Sequence, residues 1–199
     1  MPHLGKSSHT HQSCFRRPAD KERLAGKILI KKRVKIITQR NFSAYGRLLD
    51  TPKTKPNLTI GFIPGTGCWK IPGETEIAVC SSEGTNRPIQ AMERHFHTPE
   101  IFIVVEGKMI LGLAREEHRR SRQTHPVAED VEFFLVREGQ GIIMRPGLWH
   151  IVFVPRSVRR CSFYIIFAKN SAKQDWFMRP FRHGKRVLPY GGEKKVGPA

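Results

Sequence analysis

Acidic side chains are scarce in this chain: its 199 residues hold 17 Asp and Glu against 35 Lys and Arg, a formal net charge of +18. Long apolar runs are missing too. No stretch approaches the roughly 20 consecutive apolar residues that a membrane-spanning helix needs, and Met1 to Arg33 lacks the apolar centre of a secretory signal. A cytoplasmic protein without a membrane span is therefore expected. Cysteine is limited to Cys14, Cys68, Cys80 and Cys161. Their scatter, with no C-x-x-C pair, indicates neither a disulfide framework nor a zinc ribbon, and Cys80 and Cys161, set in apolar stretches, are expected to pack as reduced thiols. No internal repeat marks tandem domains, and no array of aromatics suggests stacking on nucleic-acid bases.

The excess positive charge invites a nucleic-acid reading until it is located. Residues 1–40 hold 11 Lys and Arg against 2 acids, and residues 169–199 hold 8 against 2. Residues 41–168 carry 16 basic and 13 acidic groups, an ordinary balance for an enzyme or a binding domain. The basicity belongs to the ends, where it would attract polyanions without regard to sequence or simply keep the protein in solution. Nucleic acid is thus an expected partner only through the tails. The length suits one domain with a real core. We therefore expect a basic flexible extension over 1–26, a folded domain over 27–168 and a basic, partly disordered tail over 169–199. His9 and His11 fall in the extension, where nothing pre-organises them as ligands.

In the folded domain, Ile28, Ile30, Val34 and Ile36 alternate with polar residues, the period-2 pattern of a half-buried strand over Lys27 to Thr38. Asn41 to Gly46 reads as a helical turn, capped by Asn41 and ended by Gly46 in the left-handed conformation. A connection rich in Pro and Gly follows over 52–72, with a strand at Leu58 to Ile63. Further strands are expected at 75–80, 90–97, 100–105, 108–114, 132–136, 141–144, 151–154 and 161–168, with a tight hairpin at Gly107. Arg115 to Asp130 has no apolar period and reads as a surface loop with exposed His118 and His125. A brief helix is expected at Asp175 to Met178. Short strands at this spacing argue an all-β domain, an antiparallel barrel or a sandwich.

Chemistry concentrates in two stretches, His95-Phe96-His97-Thr98-Pro99-Glu100 and Arg145-Pro146-Gly147-Leu148-Trp149-His150. On a strand, His95 and His97 would share one face, with Arg94 and Phe96 on the other. Glu100 adds a carboxylate beyond the Pro99 kink, and His150 arrives on a second strand behind a Pro-Gly turn. Three imidazoles and one carboxylate suit a divalent ion, Mn, Fe, Ni or Zn, with water or substrate in the open positions. The expected metal ligands are His95, His97, Glu100 and His150.

These residues resemble the two motifs of the cupin superfamily: His-x-His, Glu, six residues and Gly, then later Gly, Pro, Gly and His. Two residues separate His97 from Glu100 here, where the usual first motif has three or four. A closer resemblance is to the ureidoglycolate lyase family, a cupin branch. It is carried by Asn41-Phe42-Ser43-Ala44-Tyr45-Gly46, Met92-Glu93-Arg94-His95, Glu100-Ile101-Phe102-Ile103 and Arg145-Pro146-Gly147-Leu148-Trp149-His150, within residues 35–168. The resemblance implies a single cupin-like antiparallel β-barrel of jelly-roll type. Bacterial members of the family tend to have Gln at the place of Glu100 and no His at that of His97, so this pocket is the more metal-competent.

The resemblance further implies a carbon–nitrogen lyase of purine catabolism that eliminates urea from ureidoglycolate and leaves glyoxylate. Such chemistry needs a base for the hydroxyl proton, a proton donor for the departing nitrogen and a cation for the substrate carboxylate. His150 and Glu93 are the candidate catalytic proton carriers. Arg145 is the preferred carboxylate clamp, since a guanidinium binds both oxygens; Lys108 and Arg94 are further candidates, Arg94 having a second reading as an outward or dimer-contact charge. Tyr45 and Trp149 would line the substrate site or belong to the core. Two alternatives stand beside this reading, because such barrels host many chemistries. One is a cupin metalloenzyme for another small hydroxy or keto acid or a sugar derivative; the other is a non-catalytic small-ligand binder with polyanion-binding tails. A homodimer paired through the strand at 27–38 is also expected.

Overall fold

The computed structural model describes residues 28–50, 69–115 and 124–192. The expected extension over 1–26, with Cys14, His9 and His11, lies outside the described residues, as do the strand at Leu58 to Ile63, Cys68 and His118. In chain order the strands are β1 (Leu29–Ile36), β2 (Gly46–Leu49), β3 (Thr75–Glu83), β4 (Ala91–Arg94), β5 (Glu100–Glu106), β6 (Lys108–Ala114), β7 (Glu132–Arg137), β8 (Gly141–Met144), β9 (Trp149–Phe153), β10 (Arg160–Ala168), β11 (Phe177–Pro180) and β12 (Arg186–Tyr190). Two short helices accompany them, α1 (Gln39–Phe42) and α2 (Ser171–Gln174).

The strands make a seven-stranded sheet, β11-β4-β9-β6-β7-β1-β12, and a five-stranded sheet, β2-β8-β5-β10-β3. Both are curled, so that together they form a half-barrel, the all-β class expected. The named strands pair antiparallel, except that β1 runs parallel to β7 and to β12. One core lies between the sheets and includes Phe102, Leu111, Leu113, Phe134, Ile142 and Phe163. A second covers the other face of the larger sheet, where Met92, Ile110, Phe133, Leu135 and Trp149 pack with Val34, Phe181 and Val187. With both faces buried, β6 and β7 read as continuous apolar runs rather than as an alternation.

Local chemistry explains the joints. Thr38, not Asn41, is the N-cap of α1: its Oγ1 accepts from Asn41 N at 3.2 Å while Asn41 Oδ1 accepts from Thr38 N at 2.9 Å, a reciprocal capping box. Gly46 does not end a helix but opens β2, where a Cβ would stand 1.7 Å from the Ile143 carbonyl oxygen, so β2 and β8 approach closely only because this residue has none. Gly107 takes φ +77° in the β5–β6 hairpin, as its position between two apolar runs implied.

Three expectations are corrected. Residues 169–192 are not a tail: α2 ends on buried Asp175, β11 pairs with β4, β12 pairs with β1, and Phe181 and Val187 supply the second core. Apolar residues spaced among the basic ones carried that signal, and net charge masked it. The helix expected at Asp175 to Met178 stands at Ser171–Gln174 instead. Finally, β1 is not a free edge, because residues 29–33 pair with β12 and residues 34–36 with β7 of the same chain. No helix among the described residues is long and apolar enough to cross a membrane.

Candidate active site

His95 follows the last residue of β4, Glu100 opens β5 and His150 is the second residue of β9. All three are buried, and one ligand atom from each lies within 4.8 Å of the other two. Glu100 sits between the imidazoles: its Oε2 is 2.8 Å from His150 Nε2 and its Oε1 is 3.4 Å from His95 Nε2. The strand pairing sets this up. Glu93 on β4 faces His150 on β9 across the ladder, which brings the end of β4 beside β9. The Pro146-Gly147 turn completes it, with Gly147 at φ +81° donating its N–H to the His95 carbonyl at 2.6 Å. The second motif is thereby tied to the first.

Both rings are fixed by their other nitrogens. His95 Nδ1 is 2.8 Å from the Asp175 carbonyl oxygen and His150 Nδ1 is 3.1 Å from that of Leu148. A carbonyl only accepts, so each Nδ1 carries the proton and each Nε2 turns toward Glu100, the arrangement that orients metal-binding imidazoles. His150 Nε2 is buried and, despite its short distance to Glu100, has no partner at hydrogen-bonding geometry. An orphaned buried nitrogen, a second imidazole nitrogen and a carboxylate converging on one point fit a divalent cation.

The electrostatics agree. Burial alone would push Glu100 up, but the His150 and His95 imidazoles overcome it and hold the carboxyl below its ordinary 4.5. For His150, burial favours the neutral ring, yet the Glu100 charge, helped by Glu93 and the Leu148 carbonyl, raises it from 6.5 to about 9. Around the cluster, Thr98, Met144, Arg145 and Leu148 complete a small recess of 150 Å³, counting its open mouth. That figure counts open solvent; the enclosed part leaves no room for a water-sized sphere, so it suits a bare ion among the ligand atoms, and any larger molecule would meet the site from its open mouth.

Other expected site residues divide. Arg145 lines the recess, and its Nη2 donates to the Ser43 carbonyl at 3.2 Å, while its backbone N–H donates to that of Tyr45. The Asn41 to Gly46 segment thus braces the second motif. Glu93 stands beside the cluster with Oε1 3.6 Å from His150 Nε2, and its Oε2 accepts from the Trp176 indole. His97 is not brought in: its ring is 71% exposed and its Nδ1 meets Asp175 Oδ1 at 3.0 Å. The strand stops at Arg94, so the alternation that was to align His97 with His95 does not apply beyond it.

Arg94 does face away from His95, but onto the second core rather than solvent. It is fully buried, with its guanidinium 4.1 Å and 4.3 Å from the Trp149 and Phe96 ring centroids and Nη2 donating to Thr124 Oγ1. A weakly hydrated planar cation stacks on aromatic faces more readily than a Lys would. Trp149 alternates with His150 and belongs to that same core, and Tyr45 packs on Phe42 and Phe134 in the first core, its hydroxyl pushed above the ordinary range by burial and by Glu132; neither lines the recess. Lys108 starts β6, five residues before Leu113, which pairs with His150; at about 3.4 Å per residue it sits roughly 17 Å along the strand from the site. His125 is half-buried with Nδ1 on the Pro180 carbonyl, and Cys80 and Cys161 are buried outside any disulfide, as expected.

The register of the first motif explains the His97 error. Glu93-x-His95, four residues, Glu100, six residues, Gly107 satisfies the spacing that His95-x-His97 misses, with Glu93 where the usual pattern has its first His. Asp175 and Trp176 were missed altogether, since they arrive from about eighty residues away and no local pattern marks them.

A half-barrel with a buried His–Glu–His set facing a small recess defines a class, all-β proteins with a metal-competent pocket between curled sheets. The model of the ureidoglycolate lyase family matches residues 30–183, and the chain belongs to that lyase family. The match runs beyond residue 168 into the segment that holds Asp175. No curated protein matches the chain. Similar solved structures include Bacillus subtilis oxalate decarboxylase, in work on its Mn(II) centres, at 16% identity over 47% of this chain and 21% of that chain with a TM-score of 0.34. Fe(II)-HppE with an alternative substrate is similar at 13% identity, 47% and 42% coverage and a TM-score of 0.36. This chain therefore spans well under two thirds of either neighbour.

Proposed function

We propose that the protein is a metal-assisted ureidoglycolate lyase that converts ureidoglycolate to glyoxylate and urea. The observation that carries this reading is the pair of imidazoles pinned through Nδ1 to backbone carbonyls with both Nε2 atoms turned to Glu100, in a chain of this family. His95, Glu100 and His150 would hold the divalent cation, which as a Lewis acid would acidify the substrate hydroxyl.

The remaining groups divide the work. With its Nδ1 proton held on the Leu148 carbonyl and its Nε2 in the ligand set, His150 has no nitrogen left to exchange a proton with the substrate, so that task falls to Glu93 alone. Its carboxylate takes the hydroxyl proton of the carbinolamide. The oxygen electron pair forms the C=O bond, the C–N bond breaks with its electrons going to the ureido nitrogen, and Glu93 returns the same proton there. Arg145, at the recess, binds the substrate carboxylate. The test is incubation of purified protein with ureidoglycolate and each of Mn, Fe, Ni and Zn, with urea and glyoxylate measured together. Absence of both products would sink the reading, and turnover of a different small hydroxy or keto acid in a parallel screen would move the substrate while keeping the site.

We also infer a homodimer, joined along β3 rather than β1. This strand is an edge of the five-stranded sheet, has no proline in its nine residues, and exposes Ile77 and Val79 at 65% each next to Tyr164 at 40% on β10. An edge with no further strand paired to it among the described residues, and with exposed apolar side chains beside it, can pair with another strand, and a second copy offers the same edge under a two-fold axis.

A further inference from the structure

Asp175 and Trp176 form the hinge between α2 and β11, and between them they touch the groups that flank the cation set on both sides. Asp175 is buried and its carboxylate accepts three N–H groups: Phe96 N at 3.0 Å, His97 N at 2.7 Å and, through Oδ1, His97 Nδ1 at 3.0 Å. Its backbone carbonyl takes His95 Nδ1. The turn that follows β4 is therefore clamped at three consecutive residues, and the first of them is a candidate ligand. Trp176, 47% exposed, spends its indole N–H on Glu93 Oε2. Glu93 occupies the position from which a fourth ligand would come, with Oε1 3.6 Å from His150 Nε2, yet it lies outside the set whose ligand atoms meet within 4.8 Å.

We propose that this dipeptide sets the ligand number of the site: Asp175 holds His95 in the cation's coordination set, and Trp176 holds Glu93 out of it, which keeps that carboxylate available as the proton carrier. Both are positioning residues. The proposal rests on the reading of His95, Glu100 and His150 as a cation site, and it gives the two residues effects of opposite sign on cation affinity, which a merely structural role would not do. Losing the clamp loosens His95 and weakens binding, whereas losing the indole donor lets a second carboxylate rotate toward the cation and strengthens binding while removing the base.

The test titrates the full-length protein with Co(II), reading both affinity and the visible ligand-field spectrum, on wild type, Asp175→Asn, Trp176→Phe, the double variant Glu93→Gln with Trp176→Phe, and His97→Ala. An Asn side chain presents an amide donor to one of the N–H groups that the carboxylate accepts, so Asp175→Asn should bind about 10–100-fold more weakly. Trp176→Phe should bind roughly tenfold more tightly, since an added anionic ligand raises affinity, with a changed spectrum and a kcat for urea release reduced at least tenfold. The added Glu93→Gln change should return affinity and spectrum to wild type, and His97→Ala should bind as wild type does. Equal affinity and an unchanged spectrum in Trp176→Phe overturn the proposal, and so does wild-type affinity in Asp175→Asn. If Asp175→Asn does not fold, the exposed Trp176 variant decides. Failure of the wild type itself to take up Co(II) overturns the cation reading and this proposal together, which separates that result from failure in the variants alone.

Discussion

Cation binding at the His95–Glu100–His150 set should displace a proton, and its strength should climb with pH. His150 is raised to about 9, while Glu100 is held low by the imidazoles and stays ionised throughout the neutral and alkaline range. A cation needs the Nε2 lone pair that the proton occupies. At pH 7, two pH units below the His150 value, about 99% of metal-free molecules carry the imidazolium, so apparent affinity lies roughly 100-fold below its plateau and rises about tenfold per pH unit until pH 9. Mn(II) or Co(II) titrations at pH 6.5, 7.5, 8.5 and 9.5 would measure the slope. Calorimetry in buffers of different ionisation enthalpy would count the released proton, close to one at pH 7.5. Affinity that is flat between pH 7 and 9, or uptake with no proton release, would refute the reasoning. The metal-free protein should show the complementary behaviour. Since the folded value of His150 lies above its ordinary 6.5, the stabilisation from its charged form is complete below pH 6.5 and is lost as pH rises through 9. Glu100, lowered from 4.5, stabilises above that pH and ceases to as pH falls through its folded value. Metal-free stability should therefore peak between about pH 4.5 and 6.5, with roughly 3 kcal/mol lost on the alkaline side, and saturating cation should abolish that loss.

Arg145→Gln should raise KM for ureidoglycolate about 10–100-fold with kcat changed far less, because it removes a charge-assisted contact to a group that does not react; steady-state kinetics decide. Lys108→Ala, remote along β6, should leave both constants within a factor of two, and a large KM effect there would contradict the strand register. Gly46→Ala should destabilise by about 3 kcal/mol in urea denaturation, at the upper end for overpacking, since the new methyl meets backbone rather than a movable side chain. Ile77→Lys with Val79→Lys should leave the fold intact and convert the proposed dimer to monomer in light scattering; an unchanged mass would remove β3 as the joint.

Most strands were legible because their apolar residues follow a fixed period and their ends carry Gly, Pro or polar clusters. β6, β8 and the Gly107 hairpin fall where the pattern puts them. The helix cap moved from Asn41 to Thr38 because a reciprocal pair of side-chain bonds, not residue type alone, decides which residue flanks a helix. Charge misled at the C-terminus: a count of Lys and Arg made residues 169–199 a tail, while Phe181 and Val187 were already present to fill a core. Lys169 and Lys185 are engaged with Glu74 and Glu129 rather than left for a polyanion.

For the site, sequence alone determined the chemical inventory: imidazoles and a carboxylate at strand ends, an arginine before a Pro-Gly turn, and the family to which they belong. Such features are local, written in residue type and spacing. Only the tertiary structure decided which histidines meet. His97 lost its place because β4 ends at Arg94 and alternation ends with it, and Glu93 gained one because the β4–β9 ladder sets it opposite His150. The tautomers of His95 and His150 follow from carbonyls on residues 175 and 148. The clamp on the β4–β5 turn comes from a segment whose sequence distance conceals it, since a hydrogen bond depends on where the chain returns in space and not on how many residues lie between.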